Sequence, residues 1–234
     1  MLTTLSSELQ VVDHVDTPID RSEVVRYLGY PRGTQPSRAI DEALDRWVDV
    51  AAERATPRAT YCIFPVAALD RRWVRLQTSR GITEFHGAIG EYLGPIEWVA
   101  AFIATAGPGV EAFASEMLRS GDAVAGLVIN AVGSERAEAA EAAAINELRE
   151  YLTHTNFDLT LPYSPGYCGM KITEQTKLFG LFGDHTVGVT LSPDCLMKPI
   201  KSISGLIGIG PSDEVMSWGS PCDRCEVKHC NMRR

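Results

Sequence analysis

Apolar residues recur at helical spacing in two long blocks of the chain. The first block predicts a helix over Ile40–Ala55, with Pro57 just beyond it. Its apolar positions are Ile40, Ala43, Leu44, Trp47, Val48 and Ala51. The second block spans Ala123–His154, where Gly133-Ser134 separates an apolar half from an Ala/Glu half and predicts a kink or a new N-cap. Its carboxylates are predicted to line a solvated face: Glu138, Glu141 and Glu147.

Shorter apolar runs with β-branched residues predict strands between and after these helices. The runs are Thr60–Leu69, Trp73–Thr78, Ile96–Thr105, Val187–Leu191 and Ser202–Ile209. We expect the last three to share one sheet, with both long helices packed on it. The fold class is therefore predicted as α+β, a mixed or antiparallel sheet flanked by helices. A domain over residues 1–210 would be followed by a short cysteine-rich appendage over residues 211–234.

The composition and charge of the chain argue against several classes of function. The chain of 234 residues has a net charge of -8 and a pI near 5.2, which argues against a general nucleic-acid footprint. No apolar run is long enough to span a bilayer, and the N-terminus lacks a signal-peptide pattern. We therefore expect a cytoplasmic protein with no membrane partner. Its six cysteines are then reduced thiols or metal ligands.

The stretch from Leu161 to Gly210 carries the most unusual pattern. Prolines and glycines surround Tyr163 and Tyr167, which predicts a rigid exposed turn that a ligand or partner can approach closely. The last predicted strand has an unusually bare face. That face carries Ser204, Gly208 and Gly210. A closely approaching ligand or backbone would explain it.

Three motifs in this stretch resemble the activation domain of cobalamin-dependent methionine synthase and stand-alone proteins built like it. They are Gly166-Tyr167 from an Arg-x-x-x-Gly-Tyr fingerprint, Thr190-Leu191, and Pro199-Ile200-Lys201-Ser202-Ile203-Ser204-Gly205. The upstream helices are also similar to that family. The resemblance implies an activation-domain fold and a corrinoid-binding protein or methyltransferase as partner.

In that family the Gly-Tyr turn lies along S-adenosylmethionine, and the resemblance implies a ligand groove beside Ser164, Gly166 and Tyr167. The alternative is a rigid turn that only closes the sheet. Pro162 occupies the position of the family's Arg, which meets the ligand carboxylate. Losing such a charge-assisted pair costs about 1.5–3 kcal/mol. We therefore expect S-adenosylmethionine to bind weakly or not at all.

Two lysines flank Pro199 on the last predicted strand. Lys198 and Lys201 can meet propionamide or phosphate groups of a corrinoid, or an acidic partner. The alternative is that both are ordinary solvated residues.

The tail contains cysteines at metal-ligand or redox spacing, Cys222, Cys225 and Cys230. For a fourth ligand we favour Cys195, then Cys168, over His229. An iron–sulfur cluster is favoured over zinc, because cob(I)alamin formation needs a low-potential electron that zinc cannot carry. A flexible reduced tail and a Cys222–Cys225 disulfide are the alternatives.

Together these features indicate an accessory protein that reductively returns cob(II)alamin to cob(I)alamin on a corrinoid protein of a methyltransferase system. Its electrons would come through the cysteine tail, with ferredoxin or flavodoxin as a possible donor. One alternative is a non-catalytic binding module or chaperone with a structural zinc. Another is a methionine synthase activation subunit that uses S-adenosylmethionine.

Overall fold

The computed structural model describes Leu5 and residues 8–218, with only the backbone at position 217. The cysteines at 222, 225 and 230 therefore lie outside the described residues. One antiparallel sheet dominates the fold. Its strands are β1 Gln10–Val12, β2 Arg58–Asp70, β3 Trp73–Thr78, β4 Gly81–His86, β5 Trp98–Thr105, β6 Phe157–Leu159 and β9 Ser202–Pro211. They lie in the order β4-β3-β2-β5-β9-β6, with β1 paired to β2. A separate hairpin pairs β7 Thr190–Leu191 with β8 Met197–Lys198.

Helices lie on both faces of this sheet. They are α1 Arg21–Tyr27, α2 Arg38–Ala52, α3 Ile89–Leu93, α4 Pro108–Arg119, α5 Ala123–Leu152, α6 Glu174–Phe182 and α7 Ser212–Trp218. The α+β prediction, with an antiparallel sheet flanked by helices, is confirmed. The predicted division at residue 210 stays a prediction, although β9 reaches Pro211 and α7 packs against β6 and β9.

Helix α5 covers one face of the sheet through small side chains. Ala140 and Ala144 are fully buried against strands β2, β5 and β9, together with Leu148. Because alanine side chains are short, the helix axis can lie close to the sheet. A second helical layer of α1, α2 and α4 packs on the outer side of α5. On the opposite face, side chains of β2 and β5 form a second core with α3, α6 and the apolar side chains of the β3–β4 hairpin.

Two parts of the predicted packing are wrong. The Val187–Leu191 segment does not join the main sheet, because its two paired residues bond only to β8. The helix predicted over Ile40–Ala55 packs on α5 and α4 instead of on the sheet, since α5 already occupies that face.

Helix α5 also runs without interruption through Gly133 and Ser134, where a kink or cap was predicted. A Cβ at Gly133 would lie 2.9 Å from Cγ of Lys201. The Ser134 hydroxyl accepts a hydrogen bond from Lys201 Nζ at 2.8 Å. Gly133 therefore leaves room for the Lys201 side chain, and Ser134 binds its ammonium group. The helical backbone continues through both residues.

The carboxylates of α5 are less solvated than predicted. Glu141 is buried, and Glu138 accepts a hydrogen bond from the Tyr27 hydroxyl. Glu147 accepts one from the Tyr61 hydroxyl at 3.0 Å. Glu138 and Glu147 therefore tie α1 and β2 to the long helix, and each phenol donor offsets part of the cost of partly burying a carboxylate.

The bare face of β9 is explained by neighbouring protein groups. A Cβ at Gly208 would lie 2.6 Å from Cγ2 of Ile96, and one at Gly210 would lie 2.3 Å from the carbonyl oxygen of Pro95. Glycine is required wherever another chain segment approaches this closely. The predicted close approach is thus made by the loop before β5.

Within the described residues, no helix combines the length and the apolar character needed to cross a membrane.

Substituting Gly210 by Ala should lower the free energy of unfolding by about 1–3 kcal/mol, because the new methyl group meets backbone that cannot move aside cheaply. The matched control is Gly180→Ala in α6, where a Cβ would have no neighbour within 4 Å. That control should leave stability unchanged or raise it by up to about 1 kcal/mol. Urea unfolding measures both, and equal stabilities for the two variants would contradict the packing described.

Candidate functional site

The chain after β6 runs along the outer edge of β9. The backbone N–H of Thr160 donates to the carbonyl of Gly208, and Tyr163 exchanges both backbone hydrogen bonds with Leu206 at 2.9 Å. Alternate residues of an antiparallel strand direct their backbone groups to the same side, so those of Ser204 also face this edge. In the described part of the chain, no strand pairs with this edge beyond Tyr163.

Tyr163 anchors the Gly-Tyr turn to the body of the protein. Its buried ring stacks on Tyr92 with centroids 5.1 Å apart. Its hydroxyl accepts a hydrogen bond from the backbone N–H of Ala88 at 3.2 Å and donates one to the carbonyl of Cys168 at 2.9 Å. Burial raises the pKa of Tyr163 to about 12. One side chain therefore fixes both the start and the end of the turn.

The turn itself is a tight loop that exposes a tyrosine. The N–H of Gly166 donates to the carbonyl of Met170 at 2.8 Å, and the N–H of Met170 donates to the carbonyl of Tyr167 at 2.9 Å. Positive φ angles at Gly166, Cys168 and Gly169 make this reversal possible. Tyr167 is 67% exposed at the tip. A large aromatic side chain on a rigid, exposed loop is suited to contact a ligand or partner.

Of the three predicted turn residues, the structure places Ser164 directly beside β9. Ser164 is half-buried, and its Oγ lies 2.9 Å from where a Cβ at Gly205 would be. Gly166 and Tyr167 follow on the exposed part of the loop. Pro162, which replaces the expected arginine, precedes the anchor Tyr163 and is half-buried. The groove role of these residues stays a prediction.

The two predicted lysines have different environments. Lys198 is exposed on strand β8. Lys201 precedes β9 and turns toward α5, where Nζ donates to Ser134. Burial lowers the pKa of Lys201, and the nearby carboxylate of Glu111 partly opposes this shift. Lys201 thus fastens the strand to the helix, whereas Lys198 is available at the surface.

A row of hydroxyl groups follows these lysines on β5 and β9. The Ser202 hydroxyl lies 2.9 Å from the Thr105 hydroxyl and 2.8 Å from the carbonyl of Pro199. Next on the same face, Ser204 is only 3% exposed, and its Oγ has no hydrogen-bond partner among the described residues. The motif that contains both serines therefore holds the Pro199 segment and leaves one buried hydroxyl unsatisfied.

The sequence did not indicate the supporting role of three residues of this site. Tyr163 was visible only as part of a turn, and Ser134 only as a helix interruption. Glu111 lies on α4, and its Oε2 accepts a hydrogen bond from the backbone N–H of Ile200 at 2.7 Å. Each acts through a contact distant in sequence, which spacing alone does not reveal.

The predicted metal centre is only partly within the described residues. Cys195 is buried, and its Sγ lies 3.3 Å from the Thr176 hydroxyl, whereas Cys168 is exposed. Among the described residues, no group of three or more His, Cys, Asp or Glu side chains is placed to hold a metal ion. Participation of Cys195 with the tail cysteines therefore stays a prediction.

Substituting Tyr163 by Phe should lower the free energy of unfolding by about 1–3 kcal/mol at neutral pH, because the N–H of Ala88 loses its acceptor. A tyrosine pKa raised from its ordinary value near 10 stabilises the fold fully below pH 10. That contribution is lost as pH rises toward 12. The stability difference between wild type and Tyr163→Phe should therefore shrink over this range.

Urea unfolding at several pH values measures this difference. Tyr167→Phe, in the same turn but exposed, is the control and should change stability by less than about 0.5 kcal/mol. A pH-independent difference between wild type and Tyr163→Phe would show that the buried hydroxyl is not the anchor.

Comparisons with known proteins agree with this architecture. The chain is similar to a crystal structure described as the MetH reactivation domain bound to AdoHcy, with a TM-score of 0.67 and 17% identity. The match covers 87% of this chain and 79% of that chain, and at this identity it shows the fold. No curated protein matches the sequence significantly.

A family model described as the activation domain of vitamin B12-dependent methionine synthase matches residues 67–220. These residues include the Gly-Tyr turn, the β7–β8 hairpin and strand β9. The resemblance drawn from the motifs is confirmed. This protein belongs to the family of activation domains of vitamin B12-dependent methionine synthase.

Proposed function

We propose that this protein is a reactivation module for a corrinoid-dependent methyltransferase. It binds a corrinoid protein whose cobalt has been oxidised to cob(II)alamin and assists its return to cob(I)alamin. The single observation that carries the proposal is the family match over residues 67–220, which includes every described residue assigned to the site. The proposal places the protein in the cytoplasm, where reduced thiols persist.

The site residues divide into contact and support roles in this proposal. Ser164, Gly166 and Tyr167 contact the ligand or partner along the edge of β9, and Lys198 contacts an anionic or amide group. Lys201 supports the site from behind, since its ammonium group is bound to Ser134. This assignment is supported by the exposure of Tyr167 and Lys198 and by the half-burial of Lys201.

The reduction itself is a one-electron step. Cob(II)alamin gains one electron to become cob(I)alamin, and the donor, a reduced ferredoxin or flavodoxin, loses one. We propose that Cys222, Cys225 and Cys230, with Cys195 as the fourth ligand, would hold an iron–sulfur cluster, which when bound would supply a one-electron carrier for this reduction. Zinc at the same cysteines would be structural only, and the protein would then present the corrinoid to a separate reductase.

Methylation by S-adenosylmethionine is not part of the preferred role. A proline side chain has no donor for the ligand carboxylate, and Pro162 lies where the family carries arginine. The related MetH reactivation domain is described as bound to AdoHcy. A methionine synthase activation subunit that uses S-adenosylmethionine is therefore the alternative that ligand titration must separate.

The reactivation role is tested with the cobalamin-binding domain of a methionine synthase loaded with cob(II)alamin. With reduced flavodoxin or ferredoxin present, the full chain should raise the rate of cob(I)alamin formation at least tenfold, followed anaerobically by visible absorbance. Cys225→Ser, reconstituted in the same way, should lose this acceleration if the tail relays the electron. No acceleration by the wild type would refute the role.

Iron, zinc and sulfide analysis of the same samples identifies the centre. A coloured wild type with iron and sulfide supports the relay, whereas a colourless protein with one zinc would favour the presenting module. A wild type that binds neither metal, with all three tail thiols freely alkylated, would remove the metal site altogether.

Calorimetric titration of wild type with S-adenosylmethionine should give weak or undetectable binding. Pro162→Arg should tighten binding about tenfold or more, because a charge-assisted pair is worth about 1.5–3 kcal/mol. Leu161→Arg, at the exposed position next to Pro162, is the control for added charge. Micromolar binding by the wild type would contradict the prediction and support the activation-subunit alternative.

A further inference from the structure

Strand β4 lies at one end of the main sheet. Among the described residues it pairs only with β3, with Trp73 opposite His86 and Thr78 opposite Gly81. Its other edge therefore has no strand beside it in that part of the chain. Such an edge presents backbone N–H and C=O groups that can pair with a strand of another molecule. Soluble proteins need some means of closing it.

Two glycines show which residues of β4 direct their backbone groups to this edge. Gly81 closes the two-residue hairpin loop, where the closing pair is hydrogen-bonded. The N–H of Gly87 donates to a carbonyl just before β3, at 2.9 Å. Hydrogen-bonded residues alternate along an antiparallel strand, so Ile82, Glu84 and His86 point their N–H and C=O groups away from β3.

An ion pair of helix α6 lies along this edge. Nζ of Lys177 donates to both carboxylate oxygens of Glu174, at 2.9 and 2.8 Å, and to the carbonyl of Glu84 at 2.9 Å. Oε2 of Glu174 also accepts a hydrogen bond from the backbone N–H of His86 at 3.0 Å. The helix thus supplies one donor and one acceptor to the strand, as a neighbouring strand would.

This ion pair is held firmly in place. Glu174 is only 7% exposed. Leu178 and Phe182 of the same helix are buried in one core with Phe85 of β4. A buried carboxylate is costly unless it is paired, so Lys177 stabilises Glu174 in this arrangement. The two outward groups that the pair binds are therefore closed to a competing strand.

The other end of the edge is open. In the part of the chain that the structure describes, no group bonds the N–H or C=O of Ile82 on this side. The Ile82 side chain is 52% exposed. An exposed β-branched residue with open backbone groups favours strand pairing. With the ion pair in place, however, the open end is too short a template for a second strand.

We propose that the ion pair of Glu174 and Lys177 protects the edge of β4 from pairing with β4 of a second copy of this chain. A pairing strand must bond successive outward groups, and the ion pair already occupies those of Glu84 and His86. Two identical edges can pair antiparallel about a twofold axis, so a second copy is a suitable partner for an unprotected edge. The inference goes beyond the reactivation role and does not depend on it.

Hydrogen exchange in the wild type tests whether the pair closes the edge. After correction for intrinsic rates, the amide of His86 should exchange at least about tenfold more slowly than that of Ile82, because only His86 has an acceptor on the outer side. NMR spectra of the full chain in deuterated buffer measure both amides. Equal exchange at the two positions would contradict the proposal, and this measurement does not depend on any variant that fails to fold.

The double variant Glu174→Ala/Lys177→Ala removes the protection, keeps the net charge of the chain and leaves no single charge buried and unpaired. In reducing buffer its mass by analytical ultracentrifugation should rise with concentration toward about twice that of the wild type. Arg38→Ala/Glu42→Ala removes an exposed ion pair from α2 and should keep the wild-type mass. A double variant that also keeps the wild-type mass would show that the pair only anchors α6, and the proposal would be wrong.

Adding Ile82→Lys to the double variant locates the association. A lysine on an edge strand opposes pairing, so the triple variant should return to the wild-type mass. Its net charge lies closer to zero than that of the double variant, so general charge repulsion would not explain the recovery. Association that persists in the triple variant would place the contact away from β4 and overturn the inference.

Discussion

The close approach of other chain segments to strand β9 is the constraint on which the structure depends. β9 has β5 on one edge, β6 and the segment around Tyr163 on the other, and packed groups on both faces. It accommodates them because Gly205, Gly208 and Gly210 have no side chain. The absence of a side chain at Gly205 also lets Ser164, at the start of the Gly-Tyr turn, lie directly beside the strand. Fold and candidate site thus have one steric requirement in common.

The sequence predicted regular elements well where the apolar period was unambiguous. Helix α2 and strands β3 and β5 follow from local spacing alone. The misplaced Val187–Leu191 segment shows the limit, because an isolated two-residue pairing has the same apolar alternation as a sheet strand. Gly133 and Ser134 show the same limit. Their sequence predicts a helix break, yet in the structure they accommodate Lys201, which lies 67 residues after Ser134.

The turn of the candidate site could be predicted from the sequence, but the contacts that hold it in place could not. Prolines and glycines predicted the turn, because few other backbone conformations suit these residues. The role of Tyr163 depends on Ala88 and Tyr92, which lie on another element, so no local pattern indicated it. Lys198 and Lys201 were indistinguishable by sequence, since the half-burial of Lys201 comes from helix α5, which packs behind that residue alone of the two.

Helix α3 has only five residues, yet it supports two segments that are distant in sequence. From the Gly-Tyr turn, the Tyr163 ring stacks on Tyr92 of this helix, and the Tyr163 hydroxyl accepts a hydrogen bond from the N–H of Ala88. From the other side, the indole N–H of Trp218 donates to the carbonyl of Glu91 at 3.1 Å. A displacement of Tyr163 or of Trp218 would therefore shift the same short helix. The turn and the start of the cysteine-bearing segment therefore form one mechanical unit, whose parts should respond non-additively to change.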